Sequence, residues 1–284
     1  MTGTYGVPVV DMKAGGPEFA QRFGNGLEKV GFVVIVNHGI EARLLKRVYE
    51  IARQVFALPA DIKKKYETPE TGRQVGYTPF QMEHAKGSDI PDLKEFWHLV
   101  RPGNRSYLNV FPDEIPEFEM IMPELFRSLD KISIRLIRAL EYYFHYSPNQ
   151  LEELVQEGNS VLRVLHYPDI VPGAEGVRSA AHEDINFLTL MVAATAAGLE
   201  IKNRNGEWIP VHHPPGSIVV NAGDMLELFT FGKFPSTTHR VVNPVRPDGG
   251  RYSLPFFVQP RPEVPLVTAG GFLAQRLREN RVMS

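Results

Sequence analysis

The stretch Ala180-Ala181-His182-Glu183-Asp184-Ile185-Asn186-Phe187-Leu188-Thr189-Leu190-Met191-Val192 reads as one strand, 180–192. It belongs to a series. Strands are also expected at 161–167, 198–209, 217–221, 225–229, 237–242 and 251–259, separated by Gly, Pro and Asn turn signals. Many short strands at such spacing predict a sandwich or barrel, here a double-sheet jelly roll in the C-terminal half.

Successive side chains on a strand point to opposite faces, so His182 and Asp184 share a face and Glu183 turns away. A second imidazole from a neighbouring strand would complete a two-His, one-carboxylate facial triad, the arrangement of non-haem Fe(II) oxygenases. His239, in the strand-like run Ser-Thr-Thr-His-Arg-Val-Val, is the candidate, and Arg251 twelve residues later fits a crossing to an adjacent strand. The same parity puts Arg251 and Ser253 on one face, a guanidinium fork beside a hydroxyl suited to a carboxylate.

The N-terminal half is mixed. An edge strand is expected at 7–12, since Pro8 is tolerated only at an edge. Phe19, Phe23, Leu27 and Val30 recur at helical spacing up to Gly31, and a strand over 31–36 closes at Asn37-His38-Gly39, with His38 a local hydrogen-bonder. Val48, Ile51, Ala52 and Val55 mark a second helix, and Lys63-Lys64-Lys65 a solvated face. A long ordered loop is expected over 68–92, then a strand over 94–100, and a helix starting behind Pro123.

The chain has 284 residues with 43% hydrophobic content, which suits one elaborated domain, and its net charge of -2 gives no reason to expect nucleic acid or membrane as a partner. Cysteine is absent, so any metal must be held by His and carboxylate. No leader-like segment or long apolar run is seen, and the expected state is a cytoplasmic monomer or weak homo-oligomer acting on a small molecule.

These motifs, with Gly31-Phe32 through Asn37-His38-Gly39-Ile40, Phe56-Ala57-Leu58-Pro59 and Asn221-Ala222-Gly223-Asp224, resemble the Fe(II)- and 2-oxoglutarate-dependent oxygenases of the isopenicillin N synthase-like group over nearly the whole chain. The resemblance implies an α+β fold with a mainly β core, a distorted double-stranded β-helix (jelly roll) with a helical N-terminal half. Its parts are an N-terminal mixed helical region of the non-haem dioxygenase type at 1–150, the oxygenase core at 151–260 and a helical tail at 261–284, whose helix 272–280 helps cover the active-site mouth. It further implies Fe(II) on His182, Asp184 and His239, the distal carboxylate of 2-oxoglutarate on Arg251 and Ser253, and Tyr167 beside the cosubstrate. Many plant members carry Asn two residues before that Tyr; here Leu165 stands there, with Arg163 nearby as a replacement polar contact.

The expected enzyme is a 2-oxoglutarate-dependent dioxygenase that hydroxylates or desaturates a small organic molecule with O2, releasing succinate and CO2. An oxidase of the same fold that does not use 2-oxoglutarate, of oxidative cyclase or ethylene-forming type, and a non-catalytic binding jelly roll are the alternatives. Apolar walls are expected from among Phe187, Leu188, Phe256 and Phe257. For the substrate, loop 76–88 and strand 94–100 supply Tyr77, Glu95 and Trp97, with the Glu95/Trp97 face chosen over Lys94/Phe96/His98.

Overall fold

The computed structural model describes residues 6–84, 89–104, 106–170 and 174–265. Strand β1 (Val9–Asp11) lies at a sheet edge, as Pro8 requires, and pairs in parallel with β2 (Phe32–Val36). Between them α1 (Gly16–Val30) buries Phe19, Phe23 and Leu27 and ends at Gly31, whose left-handed backbone (φ 73°) lets its N–H reach the Leu27 carbonyl at 2.7 Å. A Cβ at Gly31 would meet the Pro235 carbonyl at 2.4 Å, so the turn also allows the chain before His239 to approach.

The amphipathic α2 (Ala42–Phe56) and the short α3 (Ala60–Lys64) follow. Lys63 departs from the expected solvated face. It is buried, its Nζ donating to the Phe56 carbonyl (3.0 Å) and to Glu95 (2.7 Å), while Lys64 and Lys65 stay exposed. The long loop holds a strand of its own, β3 (Gly76–Thr78), paired with β4 (Glu95–Val100). Helix α4 (Pro116–Tyr143) starts seven residues before Pro123, which lies inside it. Burial of Phe118, Met122, Leu125 and Phe126 around that proline outweighs the hydrogen bond it cannot donate. Helix α5 (Glu152–Val155) leads into the C-terminal half.

There β5 (Val161–Tyr167) matches its expected bounds. The deciding stretch is two strands, β6 (Ser179–His182) and β7 (Leu188–Val192), which belong to different sheets. Expected strand 198–209 is likewise a hairpin of β8 (Leu199–Lys202) and β9 (Trp208–Pro210). After β10 (Ile218–Ala222), 225–229 forms helix α6 (Asp224–Phe229) and not a strand, before β11 (His239–Val241) and β12 (Arg251–Val258). Five apolar-rich residues fit either state; the tie goes to helix because the backbone at 223–225 is bound to the turn at 184–187.

The strands form an eight-stranded sheet, ordered β1-β2-β10-β7-β12-β5-β4-β3, and a four-stranded sheet, ordered β6-β11-β8-β9. One face of the large sheet packs on the helices through a core that includes Phe23, Val48, Trp97, Leu136, Leu190 and Phe256. Its other face meets the small sheet, with Phe32, Phe96, Leu165 and Val219 against Leu199, Ile201 and Val241. The fold is thus sheet-rich with helices on one side. Tail helix 272–280 and Lys86 of the expected substrate loop lie outside the described residues.

Candidate active site

His182 ends β6 and His239 begins β11, and the two are directly opposed partners across an antiparallel pair, ring centroids 4.3 Å apart. Each ring turns Nδ1 to a carbonyl two residues back, Ala180 at 2.7 Å and Thr237 at 3.1 Å. A carbonyl only accepts, so Nδ1 carries the proton and the Nε2 lone pair is left for something else. Phe32 packs its ring edge-on against His239 at 5.4 Å.

Asp184 sits past the end of β6, in the turn that crosses between the sheets, so strand parity is not what brings it to His182. The turn is pinned by its own backbone: the Asp184 carbonyl accepts from Asp224 N at 2.7 Å and that of Phe187 from Gly223 N at 3.1 Å. The approach is so close that a Cβ on Gly223 would lie 2.1 Å from the Asn186 carbonyl. Asp184 Oδ1 then stands 3.8 Å from His182 Nε2 and 3.6 Å from His239 Nε2, beyond hydrogen-bond length. Oδ2 is held by Thr189 Oγ1 (2.5 Å) and Asn221 Nδ2 (2.8 Å). Two imidazole nitrogens and one carboxylate oxygen, all within 4.8 Å of one another and none donating to another, fit a shared divalent ion. Burial pushes His182 down to about 4, reinforced by His239 beside it. Burial alone would raise Asp184, but both imidazoles and the bonds from Asn221 and Thr189 outweigh it and hold the carboxyl below its usual range. Asn221 falls in the Asn221-Ala222-Gly223-Asp224 match, but the match does not point to Asp184, and Thr189 lies in no motif; the fold brings both to the carboxylate.

Arg251 and Ser253 lie on β12, in the large sheet, and not on a strand adjacent to His239. Tyr167 of β5 is the register partner of Arg251, whose guanidinium is 5.1 Å from the tyrosine ring centroid. Arg251 is 1% exposed and donates through Nε to the Ala196 carbonyl (3.1 Å) and through Nη1 to Ser253 Oγ (3.2 Å). Among the described residues it makes no ion pair. Burial pushes its pKa down, partly offset by Tyr167 and Tyr49. One cavity is lined by His182, Asp184, His239, Tyr167, Arg251 and Ser253 together. Leu165 and Arg163 line it as well.

The face of β4 chosen for the substrate is not the one that lines this cavity. Lys94 of the 94/96/98 face lines the cavity, whereas Tyr77, Glu95 and Trp97 do not. Trp97 is fully buried in the helix-side core against Tyr66, Tyr77 and Phe118, with its indole N–H on the Val110 carbonyl at 2.8 Å. The Glu95 carboxylate is saturated by Lys63 (2.7 Å), Tyr77 (2.5 Å) and His166 (2.7 Å). Parity names the two faces of β4; it cannot say which one looks at the small sheet when both are buried. Of the expected apolar walls, Phe257 lines the cavity, while Phe187, Leu188 and Phe256 belong to the helix-side core. Glu183 faces away and accepts from Thr238 Oγ1.

Residues 7–114 match the family model described as non-haem dioxygenase in morphine synthesis N-terminal, and residues 158–260 that of the 2OG-Fe(II) oxygenase superfamily. A 2-oxoglutarate-Fe(II) type oxidoreductase of Metarhizium rileyi is 32% identical over 265 residues, 85% of this chain and 75% of the relative. The chain belongs to the 2OG-Fe(II) oxygenase superfamily. Among solved structures, a 2OG-Fe(II) oxygenase family protein from Caulobacter crescentus is similar with TM-score 0.86 and 39% identity, over 97% of this chain and 99% of the other. A full-length Neurospora crassa protein, solved in complex with alpha-KG (2-oxoglutarate) and thymine, is similar with TM-score 0.86 and 25% identity, over 96% of both chains. This oxygenase is therefore an oxidoreductase that uses Fe(II), 2-oxoglutarate and O2, and couples decarboxylation of 2-oxoglutarate to succinate and CO2 with oxidation of a small organic molecule. No described helix is long and apolar enough to cross a membrane.

Proposed function

We propose that this oxygenase hydroxylates or desaturates its substrate in the cavity between the two sheets, with Fe(II) held by His182, Asp184 and His239. Arg251 and Ser253 hold the distal carboxylate of 2-oxoglutarate, and Tyr167 lies beside it. The observation that carries the reading is the buried Arg251 guanidinium, without an ionic partner among the described residues, in the same cavity as the His-Asp-His focus. A buried cation is costly unless paired, and a dianionic cosubstrate supplies the pair.

Fe(II) held by His182, Asp184 and His239 would supply the electron transfer by which O2 and 2-oxoglutarate oxidise a C–H bond. The chain's own groups position and exclude. Ala180 and Thr237 fix the imidazole tautomers, Thr189 and Asn221 aim the carboxylate, and Leu165, Met191, Val219 and Phe257 keep water from the reacting centre.

The sandwiched sheets are read as a distorted double-stranded β-helix at 151–260, with an N-terminal dioxygenase region at 1–150 and a tail at 261–284. The family matches at 7–114 and 158–260 support the first two. A cytoplasmic monomer or weak homo-oligomer that binds no nucleic acid is the accompanying proposal; the net charge of -2 supports its nucleic-acid part.

Anaerobic Fe(II) with 2-oxoglutarate should give the weak visible absorption of a chelated 2-oxo acid. Alanine at His182, Asp184 or His239 should abolish it. A band that survives in His239→Ala would mean another group is the third ligand.

A further inference from the structure

A second polar patch lines the cavity beside the triad: Lys94, Arg163 and Ser179. Lys94 Nζ donates to Glu83 (2.6 Å), Asp92 (2.7 Å) and Ser179 Oγ (3.4 Å), which engages all the N–H groups of an ammonium. Arg163 gives Nε–H to His98 Nε2 (2.7 Å) and one N–H from each terminal nitrogen to Glu83 (3.1 Å and 3.1 Å). Phe96 and Phe257 flank its guanidinium, 4.0 Å and 5.3 Å from their ring centroids. His98 turns Nδ1 to the Arg73 carbonyl at 2.9 Å, so it is neutral and its Nε2 accepts. Of the five guanidinium donors, two have no partner among the described residues.

Among the described residues the charges in this patch cancel. Lys94 and Arg163 are matched by Glu83 and Asp92, all buried or nearly so. In the rest of the cavity Fe(II) and Arg251 would be matched by Asp184 and doubly charged 2-oxoglutarate. A substrate carboxylate would therefore bring a charge with no counter-ion among the described residues into a cavity whose walls include Leu165, Met191, Val219 and Pro255. An uncharged carbonyl could accept the spare Arg163 donors without that cost.

We propose that the Glu83–Arg163–Lys94–Asp92 cluster makes this cavity select an uncharged, largely apolar substrate that presents a carbonyl-type acceptor, and reject the corresponding carboxylate, with Glu83 the specificity-determining residue. The proposal rests on the reading that iron and 2-oxoglutarate occupy this cavity. It is tested by anaerobic calorimetry on the protein saturated with Mn(II) and 2-oxoglutarate, using two matched pairs of probes: benzamide with benzoate, and phenylacetamide with phenylacetate. The amides should bind at least about 10-fold more tightly than the acids. Glu83→Gln leaves one net positive charge and should reverse that preference; Glu83→Asp, which keeps the charge, should retain it. Tighter binding of the acids by the parent, no binding of either amide, or an unchanged ratio in a folded Glu83→Gln protein that takes up 2-oxoglutarate normally would overturn the proposal alone. A parent that fails to take up 2-oxoglutarate in the loading step would overturn the cofactor reading, and the proposal with it.

Discussion

Replacing Arg251 by Met removes a guanidinium that is 1% exposed and keeps similar bulk. Loss of a buried charged partner for a carboxylate costs about 2–5 kcal/mol, roughly 30-fold or more in affinity. At 2-oxoglutarate about 100 times the parent's dissociation constant, binding stabilises the parent by about 2.7 kcal/mol. A 30-fold weaker variant at the same concentration gains only about 0.9 kcal/mol. For a chain of this size about 2–4 °C accompanies each kcal/mol, so the ligand-induced rise in Tm should be about 5–11 °C in the parent and about 2–4 °C in the variant. The assay is a thermal melt with Mn(II), with and without 2-oxoglutarate, beside a calorimetric titration of the metal. Metal binding should be nearly unchanged, because the Arg251 guanidinium donates to Ala196 and Ser253 and to none of the three metal ligands. Without 2-oxoglutarate the variant should melt no lower than the parent, since what it loses is a buried cation without an ionic partner among the described residues. Equal ligand-induced shifts in the two proteins would refute the assignment of Arg251 to the cosubstrate.

Three further outcomes are expected. Asn221→Ala removes a donor to Asp184 Oδ2 and should weaken Fe(II) binding by about 10–100-fold in a calorimetric or competition titration; unchanged affinity would mean that Thr189 alone aims the carboxylate. Trp97→Ala should destabilise the fold by about 3–5 kcal/mol, read as a lower urea midpoint, while the dissociation constant for 2-oxoglutarate in the still-folded protein stays within about two-fold, the opposite of what a substrate-contacting Trp97 predicts. Burial, with Arg163 adding to it, pushes His98 down to about 3, whereas an unfolded imidazole takes its proton near 6.5, so the unfolded state binds more protons between these values. Stability should therefore decline as pH falls from about 6.5 to about 3, and the decline should be shallower in His98→Gln; parallel curves would show that His98 is not a source of it.

Much of the site was legible in residue order alone. His182-x-Asp184, His239 and Arg251-x-Ser253 are local patterns of chemically scarce groups, and the turn signals around them imply short strands at the right intervals. The strand at β5 and the helix ending at Gly31 were equally plain, because a period of side-chain burial and a residue able to take positive φ are properties of the segment itself. What the sequence could not decide depends on contacts between distant segments. Stretch 180–192 breaks into strands of two sheets because the turn at 184–187 is bound to backbone at 223–225, and residues 224–229 coil into a helix for the same reason. Lys63 is buried because Glu95, thirty-two residues on, awaits a cation. Which face of β4 meets the cavity was open for a related reason: alternation gives two faces, both of β4's are buried, and only the packing of Trp97 against α4 turns Lys94 towards the metal ligands.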